Sequence, residues 1–151
     1  MIVKSVHLPL APAAAFALVT DRIDEWWPVE RRHAESPGSQ IFLLASGRFY
    51  ERAGDGTEVE LGFVRSWDFP RRIVLDFFIA TGPERPTEVE IAFVARGAGT
   101  EVTVQHRPKP SSEALWSERA PRYARSWDEV LAALVTAPAA LGLPLVTPML
   151  R

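Results

Sequence analysis

The sequence predicts an α+β domain: a curved antiparallel sheet of six or seven strands, two short helices after the first strand, and one long C-terminal helix gripped by the sheet. Three observations lead there. Short alternating segments follow one another through the middle of the chain, separated by turn residues. An alanine-rich segment and a short helical turn interrupt the pattern after the first strand. Near the end, Tyr123, Trp127, Val130, Leu131 and Leu134 repeat at helical spacing. Runs of strands followed by a run of helix make an α+β layer packing, without the strand–helix alternation of a parallel sheet.

The elements can be justified in order. Residues 1–8 read as a strand, with Ile2, Val3 and Val6 interleaved with Lys4, Ser5 and His7. Pro12 suits the first turn of a helix, where its missing N–H costs nothing, and residues 13–20 are rich in alanine. A second turn is expected over 23–27, ended by Pro28. Strands are expected at 41–45, 48–52, 58–67, 73–80, 87–94 and 100–106, divided by Ser46-Gly47, Gly54-Asp55-Gly56, Asp68-Phe69-Pro70, Gly82-Pro83 and Gly97-Ala98-Gly99. Val89, Ile91 and Phe93 form one inward row, and Val102, Val104 and His106 form another. Ile73, Leu75, Phe77 and Ile79 make a third, with Val74 and Phe78 on the opposite face beside Asp76. The last helix is expected over 118–136, starting as late as Pro121 and stopped by Pro138. Residues 1–137 then form one domain, and 138–151 form an apolar tail expected to dock on it or on a neighbouring subunit.

Composition excludes several functions. A net charge of −2 gives no basic surplus for phosphate neutralisation, so no nucleic-acid partner is expected. The chain has no cysteine, which removes thiolate nucleophiles and cysteine-ligated metals and suits a cytoplasmic location. The apolar stretch from Leu8 to Val19 imitates a signal peptide, but Pro9 and Pro12 break it. No apolar run reaches the roughly 20 residues of a membrane span. His7, His33 and His106 are scattered, so no metal is expected, and no phosphate-cradling or nucleophile-elbow motif implies a cofactor or catalytic serine.

Short signatures appear in a fixed order: Glu25-Trp26-Trp27-Pro28, Gly47-Arg48-Phe49-Tyr50-Glu51-Arg52, Asp55-Gly56-Thr57-Glu58, Trp67-Asp68-Phe69-Pro70, Pro86-Thr87-Glu88-Val89, Gly99-Thr100-Glu101-Val102 and His106. Over roughly residues 3–136 the chain resembles the START-like (SRPBCC) superfamily, in the branch related to the activator of the heat-shock protein 90 ATPase. The resemblance implies a helix-grip fold with a cavity between sheet and C-terminal helix. Two departures stand out: Ser126 precedes Trp127 where relatives often carry glycine, and Arg107-Pro108 follows His106 where many carry glycine-tryptophan.

Five tryptophans supply either core filling or aromatic walls for a ligand. Trp26, Trp27, Tyr123 and Trp127 are the candidate walls. His106, in phase with an inward row, is either a general acid or base or a core histidine satisfied by hydrogen bonds. Arg48 and Tyr50 share one strand face, opposite Glu51; an inward arginine would bind an anionic group. Asp76 is expected on the outer face, and would partner Arg48 or His106 if it faced inward. The leading expectation is binding of a hydrophobic or aromatic small molecule by Trp26, Trp27, Arg48, Tyr50, His106, Tyr123 and Trp127, with no catalytic residue assigned. The alternatives are a cyclase- or hydratase-like enzyme using His106, and a protein-interaction module, co-chaperone-like or homodimeric through Val74, Phe78 and the tail.

Overall fold

The computed structural model describes residues 1–34 and 38–146. Strand β1 (Ile2–Leu8) leads into helices α1 (Pro12–Val19) and α2 (Ile23–Trp26), followed by a 3-10 turn (Val29–Arg31). Strands β2 (Gln40–Leu43), β3 (Arg48–Arg52), β4 (Glu58–Asp68), β5 (Arg72–Phe77), β6 (Thr87–Arg96) and β7 (Gly99–Arg107) then run as a meander. Helix α3 (Glu113–Ala140) closes the fold. The seven strands form one antiparallel sheet in the order β1-β7-β6-β5-β4-β3-β2. Its concave face holds the rows that alternation predicts, from Ile73 and Leu75 through Val89 and Phe93 to Val102 and Val104, all buried. Register shifts between Phe49 and Tyr50 and between Val64 and Ser66 bend the sheet where it curls towards the helix.

Helix α3 differs from expectation at both ends. It starts at Glu113, eight residues before Pro121, and continues through Pro138 to Ala140. Pro121 is exposed, so the carbonyl it leaves without a helical N–H can be met by water. The added first turns are worth forming because Trp116 packs edge-on against His106, with ring centroids 5.2 Å apart. At the other end Pro138 is buried with Ala137, and the Leu141 N–H still reaches the Ala137 carbonyl at 2.8 Å. The tail then turns back: Leu141 and Leu143 pack against the core, and the Val146 N–H donates to the Pro9 carbonyl at 2.8 Å. The rest of the expected tail, 147–151, lies outside the described residues.

Strand β5 is shorter than expected. It stops at Phe77, because the Phe78 carbonyl accepts the N–H groups of Thr81 and Gly82 and Ala80 takes a positive φ of 67°. Phe78 therefore lies past the end of the strand, outside the alternation expected to pair it with Val74, and borders the cavity rim. Asp76 does lie on the face opposite the Leu75 and Phe77 row, but it is not exposed. It is only 2% accessible, and its carboxylate takes bonds from Arg65 at 2.6 Å and Lys109 at 2.7 Å. Burial alone would raise its pKa; the two cations outweigh that and hold it below the usual carboxylate range. This buried carboxylate ties the β7–α3 connection to the back of the sheet. Among the described residues no helix is long and apolar enough to cross a membrane.

Candidate ligand cavity

The sheet and α3 do not close on each other along their whole length. Where the core is tightest, a residual void of about 20 Å³ lies among Trp26, Leu75, Val104 and Leu131. Towards the β5–β6 connection the layers separate, leaving an open cavity of about 490 Å³. That volume falls within the range of small-molecule sites. Val59 and Leu61 of β4 and Phe77 of β5 form the floor. Tyr123, Ser126, Trp127 and Val130 come from α3, and Trp27 closes one side. The rim consists of Phe78, Ile79, Ala80, Gly82 and Pro83, opposite Glu30, Arg31, Arg32 and His33.

Helix α3 fixes the rim. The Tyr123 hydroxyl donates to the Ile79 carbonyl at 2.6 Å, and Arg119 Nε donates to the Ala80 carbonyl at 3.0 Å. Burial raises the Tyr123 pKa above the usual phenol range, opposed by the nearby hydroxyls of Thr81 and Thr87 and by Arg119. Opposite, Arg32 pins the segment after α2. Its guanidinium donates to Asp24 Oδ1 at 2.7 Å and to the carbonyls of Ser39, Asp24 and Trp27 at 2.9, 2.7 and 3.1 Å. Glu51 completes the hold: its two oxygens accept the backbone N–H groups of His33 at 2.7 Å and Ala34 at 2.6 Å. Arg31 crosses to α3, forming a two-pronged pair with Glu129 at 2.6 Å on both prongs.

Of the sequence-derived candidates, the structure brings Trp27, Tyr123 and Trp127 to the cavity and places the other four elsewhere. Trp26 sits behind Trp27 in the core, its indole N–H donating to the Leu18 carbonyl at 2.7 Å. Arg48 and Tyr50 are on the convex face. There the Arg48 guanidinium lies 3.6 Å above the Tyr50 ring and pairs with Glu58 and Glu60, so it is not an anion site within the cavity. The adjacent apolar Phe49 carried the signal: it takes the concave face, which sends Arg48 and Tyr50 outward.

His106 does point to the concave side, but it is fully buried behind the cavity wall. Its ring centroid lies 4.3 Å from that of Tyr123 and 5.2 Å from that of Phe77. Trp127 Nε1–H is only a donor, so the 3.0 Å contact makes His106 Nδ1 the acceptor and leaves the proton on Nε2. Nε2 then donates to Thr87 Oγ1 at 2.7 Å, and the Thr87 hydroxyl points on to the Phe77 carbonyl at 3.5 Å. Burial, with a smaller push from the charged amino-terminus, depresses the His106 pKa to about 3. The histidine is thus neutral and orients Trp127. Its ring does not reach the cavity to move a substrate proton.

Sequence reasoning missed the floor residues Val59, Leu61 and Phe77, the rim 78–83 and the segment 30–33. Phe77 was visible as part of an apolar row, but alternation cannot tell a core position from a cavity floor. Among the described residues no cluster of three or more His, Cys, Asp or Glu side chains is arranged to hold a metal ion.

The family model described as Activator of Hsp90 ATPase homolog 1-like protein matches residues 10–137. The chain belongs to this family. Among solved structures, this family member is similar to CalC of Micromonospora echinospora, a self-sacrificing resistance protein. The two are 23% identical, the match covers 93% of this chain and 94% of that one, and the TM-score is 0.68. The chain is also similar to the anthrahydroquino-γ-pyrone synthase Txn09, at 30% identity over 70% of this chain and 75% of that one, with a TM-score of 0.51. An HSP90 activator from Plasmodium falciparum shares the fold at 16% identity, 95% and 96% coverage and a TM-score of 0.56. A comparison with curated proteins gives no match.

Proposed function

We propose that this member of the family binds a flat, hydrophobic aromatic molecule in the cavity between the sheet and α3. The observation that carries this reading is the open space of about 490 Å³ walled by Trp27, Phe77, Tyr123 and Trp127. Aromatic walls offer large apolar area and ring faces at low conformational cost, which suits planar ligands. A solid core would give a different result, with the helix stripe seated directly on the strands. Titration with an anthraquinone should quench tryptophan fluorescence saturably with one-site stoichiometry. Val59→Trp, which fills the floor, should abolish the quenching while leaving the far-ultraviolet circular dichroism unchanged. Unaltered anthraquinone binding in that variant would place the ligand elsewhere and end the proposal.

A second reading, an enzyme of the cyclase type, is favoured by the 30% identity to Txn09, an anthrahydroquino-γ-pyrone synthase. The groups in position to act would be the Tyr123 and Ser126 hydroxyls and His33, all on the cavity lining. His106 would serve only to hold Trp127. Incubation with an aromatic polyketide precursor, followed by mass analysis for loss of water, separates this reading from simple binding.

A further inference from the structure

Trp27, Phe77, Trp127 and Val130 line both the open cavity of about 490 Å³ and the void of about 20 Å³ deeper in the core, so these four side chains form a partition between two spaces. The inner space is enough for one group of methyl size, since about 10–15 Å³ already admits a water molecule. Among the described residues its lining is apolar, and the only polar side-chain atoms in it are indole N–H groups. Trp26 gives its N–H to the Leu18 carbonyl at 2.7 Å and Trp127 gives its own to His106 Nδ1 at 3.0 Å, while that of Trp27 is directed to the Arg31 carbonyl at 3.4 Å. A buried water makes about three hydrogen bonds, and this lining offers it no such set.

The four members of the partition are not equally held. Val130 is β-branched and fixed on α3. Phe77 is enclosed by the rings of Phe49, His106, Tyr123 and Trp127, with centroids between 5.2 and 6.3 Å away. Trp127 is tied to His106, which Thr87 anchors in turn at 2.7 Å. Trp27 is the least constrained: its 3.4 Å contact is at the long limit for an N–H···O bond, and its backbone has left α2 for an extended conformation ahead of Pro28. We propose that the void is a deep subsite for a short alkyl substituent on an aromatic ligand, entered past Trp27, and that Trp27 sets how far a ligand penetrates. An alkyl group there supplies dispersion contacts that the lining lacks and leaves water without losing a hydrogen bond. A polar group would lose its water and find no partner. The ligand therefore enters alkyl end first and keeps its polar substituents towards Glu30, His33 and Ser126.

This rests on the binding reading above, and three probes keep the two apart: anthraquinone, 2-methylanthraquinone and 2-tert-butylanthraquinone, each titrated against the full chain. 2-Methylanthraquinone should bind about fourfold more tightly than anthraquinone, the scale of one buried methyl. The tert-butyl compound exceeds the void and should show no such gain; in Trp27→Phe, which thins the partition, its affinity relative to anthraquinone should rise about fourfold. Val104→Ile adds one carbon to a side chain that lines the void and not the outer cavity, and should bring the ratio of methyl compound to parent close to one. Nuclear Overhauser contacts from the ligand methyl to Val104 and Leu131 of the unaltered protein read the same point without relying on that variant to fold. Equal binding of anthraquinone and its methyl derivative would overturn the subsite and leave the binding reading standing. So would a methyl gain that survives in folded Val104→Ile, or methyl contacts confined to Val59 and Leu61 of the outer cavity. A tert-butyl gain in the unaltered protein, or none in Trp27→Phe, would overturn the role of Trp27. Absence of binding by all three probes would remove the site and this inference together.

Discussion

His106 shows how one buried side chain sets the character of a wall it does not belong to. Its neutral ring accepts from Trp127 and donates to Thr87, and a second proton on Nδ1 would expel the indole N–H. The consequence for pH follows from the depressed pKa of about 3. In the unfolded chain a histidine takes up its proton near pH 6.5, roughly the reference value. Above that pH neither state is protonated, and this residue's contribution to stability is complete. As pH falls from there towards 3, the unfolded chain binds a proton that the native state refuses, so stability declines by about 1.4 kcal/mol per pH unit. Urea unfolding at pH 7 and pH 5 should therefore show a loss of about 2 kcal/mol from this residue. His106→Gln, which keeps an acceptor and a donor but cannot titrate, should lack that share of the loss. An identical pH dependence in the two proteins would show that His106 is not the group responsible. The inward phase of His106 was legible from Val102 and Val104, four and two residues before it. Its role was not, because the indole it orients, Trp127, comes from α3, and strand alternation does not encode which helix residue lies above which strand residue.

At the level of elements, the meander, its turns and the helical stripe were readable because each is a local signal: alternation, turn chemistry and a 3.6-residue repeat. The ends of α3 and β5 were not, since tertiary contacts decide them. Proline inside a helix costs about 3 kcal/mol, which argued for a start at Pro121. That estimate leaves out Trp116, whose packing on His106 and Tyr123 rewards the extra turns, and Ser112, whose hydroxyl bonds the Pro86 carbonyl at 2.9 Å. Strand β4 carries another contact that pattern reading cannot supply. A Cβ on Gly62 would lie 2.5 Å from the Asp76 carbonyl oxygen and 3.2 Å from a Phe49 ring carbon. Backbone cannot yield as a flexible side chain does, so Gly62→Ala should force β4 away from β5 at the edge of the cavity floor and cost about 1–3 kcal/mol. Gly97→Ala is the control: nothing lies within 4 Å, and only its φ of 57° opposes the substitution, a cost near 1 kcal/mol. Comparing the two by thermal unfolding tests whether close strand approach dominates. If Gly62→Ala were as mild as Gly97→Ala, the tight fit between β4 and β5 would have to be abandoned.

Across the whole molecule, the cavity mouth lies between a rim held by α3 and the segment following α2. That segment is held firmly in two places, by Arg32 among its carbonyls and by Glu51 beneath His33 and Ala34. The third link, Arg31 to Glu129, is of another kind. Its side chains are 37% and 49% accessible, so water and salt compete for both. An exposed pair contributes about 0–1 kcal/mol to folding, and removing it by Arg31→Gln should shift the unfolding midpoint very little. The effect on ligand exchange should be larger, because the pair ties α3 to the segment after α2, where Arg31 lines one side of the cavity mouth. Stopped-flow release of a bound polycyclic ligand should therefore be faster in Arg31→Gln, with stability nearly unchanged. Salt provides an independent check. Raising ionic strength from 0.1 to 1 M shortens the screening length from about 10 Å to about 3 Å, so release from the unaltered protein should accelerate towards the variant's rate. Release from Arg31→Gln, having no pair to screen, should respond weakly. A variant that lets its ligand go at the original rate, with the original salt dependence, would show that exchange is governed by the rim at Ile79 and Ala80 instead.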